Sequence, residues 1–136
     1  MELVTLTGPK DRTKVVSTLH NFAQAHSLPA TVLQAMDLAL EEHLTNVLNY
    51  NFEPSDQVNI QVTFEKSGGD FLVEVTDNGK AFNPLERPDP DLSIPLEQRP
   101  IGGLGVYLMR QFTDELAYRR EDGKNIFRMR KRLVAE

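Results

Sequence analysis

Val58-Asn59-Ile60-Gln61-Val62-Thr63-Phe64-Glu65-Lys66-Ser67-Gly68-Gly69-Asp70-Phe71-Leu72-Val73-Glu74-Val75-Thr76-Asp77 is the stretch that decides the fold. In its first half Val58, Ile60, Val62 and Phe64 alternate with Asn59, Gln61, Thr63 and Glu65. A period of two describes a strand with one buried and one wet face. Ser67-Gly68-Gly69-Asp70 supplies a turn, and Phe71, Val73 and Val75 carry the inward face of the return strand. Upstream the period is helical. After Gly8-Pro9, the residues Val15, Val16, Leu19, Phe22 and Ala23 form one apolar stripe. A second helix is predicted from Pro29 to Tyr50 on Val32, Leu33, Met36, Leu40, Leu44, Val47 and Leu48, with Pro29 in its first turn. Leu3 to Leu6 reads as an edge strand, and a last hairpin runs from Leu116 to Arg132 with its turn at Asp122-Gly123. The expected fold class is an α/β (α+β) two-layer sandwich, a mixed, mostly antiparallel sheet covered on one face by helices.

The 136 residues fit one domain, expected to span 1–136, with 40% hydrophobic and 26% charged residues as in ordinary globular chains. A net charge of −5 speaks against direct nucleic-acid binding, which wants a basic face. Basic residues gather late, at Arg119, Arg120, Arg128, Arg130, Lys131 and Arg132. They suit either a wet strand face or a docking patch for an acidic protein. The absence of cysteine removes disulfides, thiolate zinc sites and cysteine nucleophiles together. No apolar run reaches a membrane span, and Met1-Glu2-Leu3-Val4-Thr5 lacks a signal-peptide pattern, so a cytoplasmic chain without membrane contact is expected.

Three features carry chemistry. Glu42, Asn46 and Asn49 are spaced i, i+4, i+7 on one side of the second helix, in line with Leu38 and Ala35, which read as buried. Half-buried carboxylate and amide oxygens need partners, and a hard cation such as Mg²⁺ with phosphates would supply them. Asp77 is in phase with Phe71, Val73 and Val75, so its carboxylate should face the covered side of the sheet and accept from an amine such as adenine N6. Gly79 then permits a close backbone approach. Gly102-Gly103-Leu104-Gly105 opens a short helix, Val106 to Phe112, and offers backbone N–H groups to an anion. Taken singly, each feature also fits a plainer reading: a helix edge emerging into water, an Asp-Asn-Gly turn, and a loop hinge. Their order makes the combined reading the stronger one. Between strand end and glycines lies an aperiodic stretch holding Pro84, Pro88, Pro90, Pro95 and Pro100, a length of loop typical of lids or disordered segments.

Glu42-His43-Leu44-Thr45-Asn46 resembles the N box of the GHKL ATPases. Asp77-Asn78-Gly79-Lys80-Ala81-Phe82-Asn83-Pro84 resembles their G1 box, and Gly102-Gly103-Leu104-Gly105-Val106-Tyr107-Leu108 their G2 box. Within that superfamily the chain is similar to the stand-alone anti-sigma factor serine/threonine-protein kinases over about residues 10 to 132. The resemblance implies the histidine-kinase-type ATPase fold and an enzyme using ATP and Mg²⁺ that binds ATP or ADP. It implies a cytoplasmic role in transcription regulation, with a sigma factor and an anti-sigma antagonist as protein partners. By position, Asn46 would hold Mg²⁺, Glu42 would be the general base, Asp77 would bind adenine, and Gly79 would admit the purine. Gly102, Gly103, Leu104 and Gly105 would cradle phosphates under a lid spanning 85–101, with Arg99 facing phosphate or partner. Asn49 and Phe82 fall inside or beside these boxes, and Asn125, in phase with Phe127 and Met129, would reach toward the adenine.

There are departures. Tyr50 stands where several relatives have histidine, Ala81 replaces a smaller or proline residue, and His43 reads as a packed helix residue. Two functions remain open on these residues: a protein-serine kinase, or a nucleotide-gated binding module that transfers no phosphate, with Glu42 favouring the first. The catalytic half of a sensor histidine kinase is not expected, because no helical hairpin with a phospho-acceptor histidine precedes the first box. The edge strand near Leu3 to Leu6 raises the expectation of a homodimer.

Overall fold

The alternating strands pair as their periods require. β1 (Glu2–Leu6), β2 (Ile60–Ser67), β3 (Asp70–Asp77), β4 (Glu115–Glu121) and β5 (Lys124–Arg132) form one sheet in the order β1-β2-β3-β5-β4. A computed structural model of the chain describes residues 1–86, 93 and 103–133. Every described pairing is antiparallel, which narrows the mixed sheet expected from the sequence. The β4–β5 hairpin explains this, because it sets β5 rather than β4 beside β3. The hairpin turns at Asp122 and Gly123 with φ of 51° and 73°, the left-handed pair that a two-residue type I′ turn needs.

Three helices cover one face: α1 (Arg12–Ala25), α2 (Ala30–Tyr50) and α3 (Gly103–Phe112). Pro29 stands just ahead of α2 rather than inside it, with φ −58° and ψ 145°. The core joins Leu19 and Phe22 of α1 with Met36, Leu40, Leu44 and Val47 of α2, Val106 and Met109 of α3, and the inward strand residues Ile60, Val62, Phe64, Phe71, Val73, Val75, Phe127 and Met129. Register carries this alternation across the sheet: Val62 faces Val75, Val75 faces Phe127, and the last inward position of β3, Asp77, faces Asn125. Two apolar residues expected inside emerge instead, Val16 of the first helical stripe at 51% and Leu38, read as buried in line with Glu42, at 47% exposure. Each lies a fraction of a turn off the line that the sheet actually covers.

The outer edge of β1 pairs with no other described strand. On β4 and β5 the basic cluster is interleaved with acids, as Arg130 meets Asp70 at 3.5 Å and Glu115 at 3.8 Å and Arg119 meets Glu121 at 3.0 Å. No described helix is long and apolar enough to cross a membrane. Arg99, Gly102 and all of the expected lid except Leu85, Glu86 and Ser93 lie outside the described residues.

Candidate functional site

Asp77 is 1% exposed, so the period of two does bring its carboxylate to the covered side. Its Oδ1 accepts from the Gly79 N–H at 3.0 Å and from Asn125 Nδ2 at 2.9 Å. Asn51 Nδ2 reaches both carboxylate oxygens at 3.4 Å. The Gly79 bond closes a local turn of the kind Asp-x-Gly favours. The plain turn and the inward carboxylate are thus one structure, not alternatives. Gly79 is glycine because a Cβ there would stand 2.5 Å from the Asn51 carbonyl oxygen; the close backbone approach is to the end of α2.

Asn125 is 2% exposed, and its amide is fully engaged by the protein. It donates to Asp77 and to the Lys80 carbonyl at 2.8 Å, and it accepts from the Phe82 N–H at 3.2 Å and the Tyr118 hydroxyl at 2.6 Å. Its place is therefore to fix the loop from Asp77 to Phe82. Arg120 backs the same loop by donating to the Gly79 carbonyl at 2.9 Å.

On α2, Glu42 and Asn46 are half-buried one turn apart, and both reach α3. A Cβ built on Gly105 would stand 2.9 Å from Glu42 Oε2 and 3.6 Å from Asn46 Nδ2. A side chain at 105 would fill the space these groups share. α3 begins at Gly103, so Gly103 and Gly105 are its first-turn residues and bring its positive end beside Glu42 and Asn46. Leu104 belongs to the same turn. Asn49 is exposed and does not join this group.

Asn46 links the two halves. With His43, Val47, Asn51, Asp77, Phe82, Pro84, Tyr118, Asn125 and Phe127 it lines a narrow cleft of about 10 Å³, room for a single water. His43 forms one wall, its ring stacked on Phe127 with centroids 4.0 Å apart and planes 16° apart. It is the packed helix residue its position suggested. Burial lowers its pKa to about 3, and neither ring nitrogen has a hydrogen-bond partner among the described residues. Below the ordinary histidine pKa of 6.5 the folded chain therefore binds fewer protons than the unfolded chain. Stability is full above 6.5 and falls as pH drops from there toward 3, by up to about 1.4 kcal/mol per unit. Urea midpoints measured at pH 7 and pH 5 should show the loss, and His43→Phe should flatten it.

Two cleft residues, Asn51 and Tyr118, were not signalled by the sequence motifs. Asn51 follows His43 and Val47 at i+8 and i+4, and all three are buried, so the buried polar line of α2 runs one residue beside the Glu42–Asn46 line. Tyr118 sits on an edge strand, where nothing in the local pattern distinguishes it.

The chain matches the histidine kinase-like ATPase domain over residues 8–131. It is 32% identical over 90 residues to the serine/threonine-protein kinase BtrW of Bordetella bronchiseptica, an alignment covering 66% of this chain and 63% of that protein. It is 29% identical over 98 residues to the serine-protein kinase RsbW of Bacillus cereus, covering 69% and 61%. The match thus spans less than two thirds of the length of these curated relatives. Among solved structures, the RsbU and RsbW domains of Rv1364c from Mycobacterium tuberculosis superpose with a TM-score of 0.63 at 11% identity, over 100% of this chain and 34% of that one. The histidine kinase domain of the Erythrobacter litoralis EL346 blue-light activated kinase gives 0.56 at 22% identity, over 77% and 46%. At those identities the structures speak to the fold alone. Sequence match and fold agree, and this chain belongs to the histidine kinase-like ATPase domain family.

Proposed function

We propose that this chain is a cytoplasmic, ATP- and Mg²⁺-dependent protein-serine kinase of the anti-sigma factor type. It would bind a sigma factor in one state and phosphorylate a serine of an antagonist protein in another. The observation that carries the proposal is the meeting of Glu42, Asn46 and the first turn of α3 beside a cleft that holds a buried carboxylate, Asp77. The side chains of the cleft suit the edge of a nucleotide base, whose entry would have to open it: buried polar atoms at His43 and Asn51 have no partner among the described residues, and the closed cleft has room for a single water. Asn46 on the cleft wall and Glu42 beside it carry oxygens of the hard type that Mg²⁺ takes together with phosphate oxygens. The kinase names of the relatives support the same reading.

In this mechanism Asp77 accepts from the base amine, and the N–H groups of the first turn of α3, with Gly102, bind phosphate oxygens. Asn46 would hold Mg²⁺, which when bound neutralises charge on the phosphates. Glu42 takes the proton of the serine hydroxyl as its oxygen bonds to the γ-phosphorus. The bond from that phosphorus to the β–γ bridging oxygen breaks, and ADP leaves with the electron pair. The test is capture of partners from the source cell with and without ATP, followed by mapping of phosphoserine on the captured proteins. Partners held equally in both conditions and bearing no phosphoserine would refute it.

Asn46→Ala should remove the Mg²⁺ dependence of ATP binding, because a metal held by few protein groups cannot spare one. Calorimetry with and without Mg²⁺ reads this directly, and unchanged titrations would take Asn46 out of the metal site. Two copies would further pair through the free edge of β1, where Leu3 is 55% exposed. Light scattering should show a dimer mass at high concentration; a constant monomer mass would end that proposal.

A further inference from the structure

We infer that Asn51 is a specificity-determining residue of the cleft, reading the second N–H of an exocyclic amine whose first N–H is read by Asp77. The inference rests on the nucleotide reading above. Asn51 closes the C-terminal end of α2 and is 3% exposed. Its backbone is fixed on two sides, as its N–H donates to the Val47 carbonyl at 3.0 Å and its carbonyl accepts from the Lys80 N–H at 3.0 Å.

The orientation of its amide is fixed as well. Nδ2 points at the Asp77 carboxylate, 3.4 Å from each oxygen. Turning the amide over would set Oδ1 against that negative group. Oδ1 is therefore left as a buried acceptor with no donor among the described residues, on a side chain that lines the cleft. Asp77 shows the complementary deficit. Its Oδ1 takes the short bonds from Gly79 and Asn125, so among the described residues Oδ2 receives only the long contact from Asn51. Two under-donated acceptors, Asp77 Oδ2 and Asn51 Oδ1, thus belong to residues that line the same cleft.

An amino group on a flat heterocycle brings two donors, one for each acceptor. A 6-oxo purine brings an acceptor to the same place and leaves both protein oxygens unmatched, and buried unmatched groups discriminate strongly between ligands. His43 also lacks a hydrogen-bond partner among the described residues, but its neutral ring offers one donor and one acceptor and so does not select between the two edges.

Titration of the wild type with ATP, N6-methyl-ATP and ITP, the 6-oxo analogue, tests the inference. If both N–H groups are read, N6-methyl-ATP has one donor too few and a methyl where an acceptor stands, and it should bind about tenfold weaker than ATP, with ITP weaker still. If Asp77 alone reads the amine, the methyl turns away and the two adenine nucleotides bind alike. Asn51→Ala should weaken ATP about threefold to tenfold while bringing ATP and N6-methyl-ATP to within about twofold of each other, since the methyl enters the space the amide leaves. Should that variant not fold, the wild-type titration decides alone. Equal binding of ATP and N6-methyl-ATP by the wild type, or an unchanged ratio in Asn51→Ala, overturns the role of Asn51 and leaves the nucleotide reading standing. A wild type that binds no nucleotide overturns both.

Discussion

Asp77→Asn is expected to raise the dissociation constant for ATP tenfold to a hundredfold. A hydrogen bond to a charged group is worth about 1.5–3 kcal/mol, and about 1.4 kcal/mol is a factor of ten. Asparagine keeps the shape of the side chain but replaces one acceptor oxygen with a donor. Around that position stand three donors already, the Gly79 N–H and the amides of Asn51 and Asn125. The new NH₂ would meet donors, and one of them would lose its partner. The fold should therefore lose about 1–3 kcal/mol as well. From the sequence alone, the effect would fall on the nucleotide with little on the fold; the donors around Asp77 make it fall on both. Calorimetry with ATP and thermal melts separate the two effects. A variant that melts early but binds ATP with wild-type affinity would make the carboxylate purely structural.

The parts of the site on strands were the most legible, and the reason is register. A period of two has no slack: once Val73 and Val75 face the core, Asp77 must, and once Phe127 and Met129 do, Asn125 must. Helices leave more room. A stripe drawn through α2 fixes which side is apolar only to within about one residue, and the cover over its C-terminal half comes from α3, far away in sequence. So Leu38 was expected inside and lies out, and Asn49 was grouped with Glu42 and Asn46 but faces water. The line one residue over, His43-Val47-Asn51, is the one that became buried. Gly79 was expected to make room for a ligand, and the room is occupied by the chain itself at Asn51. Contacts between residues 28 apart, on two elements joined through a third, leave no trace in local pattern.

Glu42→Gln should separate binding from chemistry. A serine hydroxyl is a poor nucleophile, and transfer of a phosphoryl group to it is helped by a base within hydrogen-bond reach of its proton. Glu42 is half-buried, its carboxylate lies over the first turn of α3, and it makes no hydrogen bond to another described residue. It is also absent from the lining of the cleft that Asp77 and Asn51 share, so the base should bind without it. Glutamine keeps its length and one oxygen but cannot take a proton. ATP affinity should then stay within a few-fold of wild type, while phosphorylation of a verified partner falls roughly 10²–10⁴-fold. Loss of ATP binding in this variant would show that Glu42 holds α2 and α3 together and does no chemistry. Transfer at the wild-type rate would move the base to another residue. Absence of transfer even in the wild type, with that partner bound, would leave a module that uses nucleotide only to hold its partner. In that case the Glu42 carboxylate above Gly105 would still shape the phosphate end of the site, and partner affinity with and without ATP would become the quantity that the variant changes.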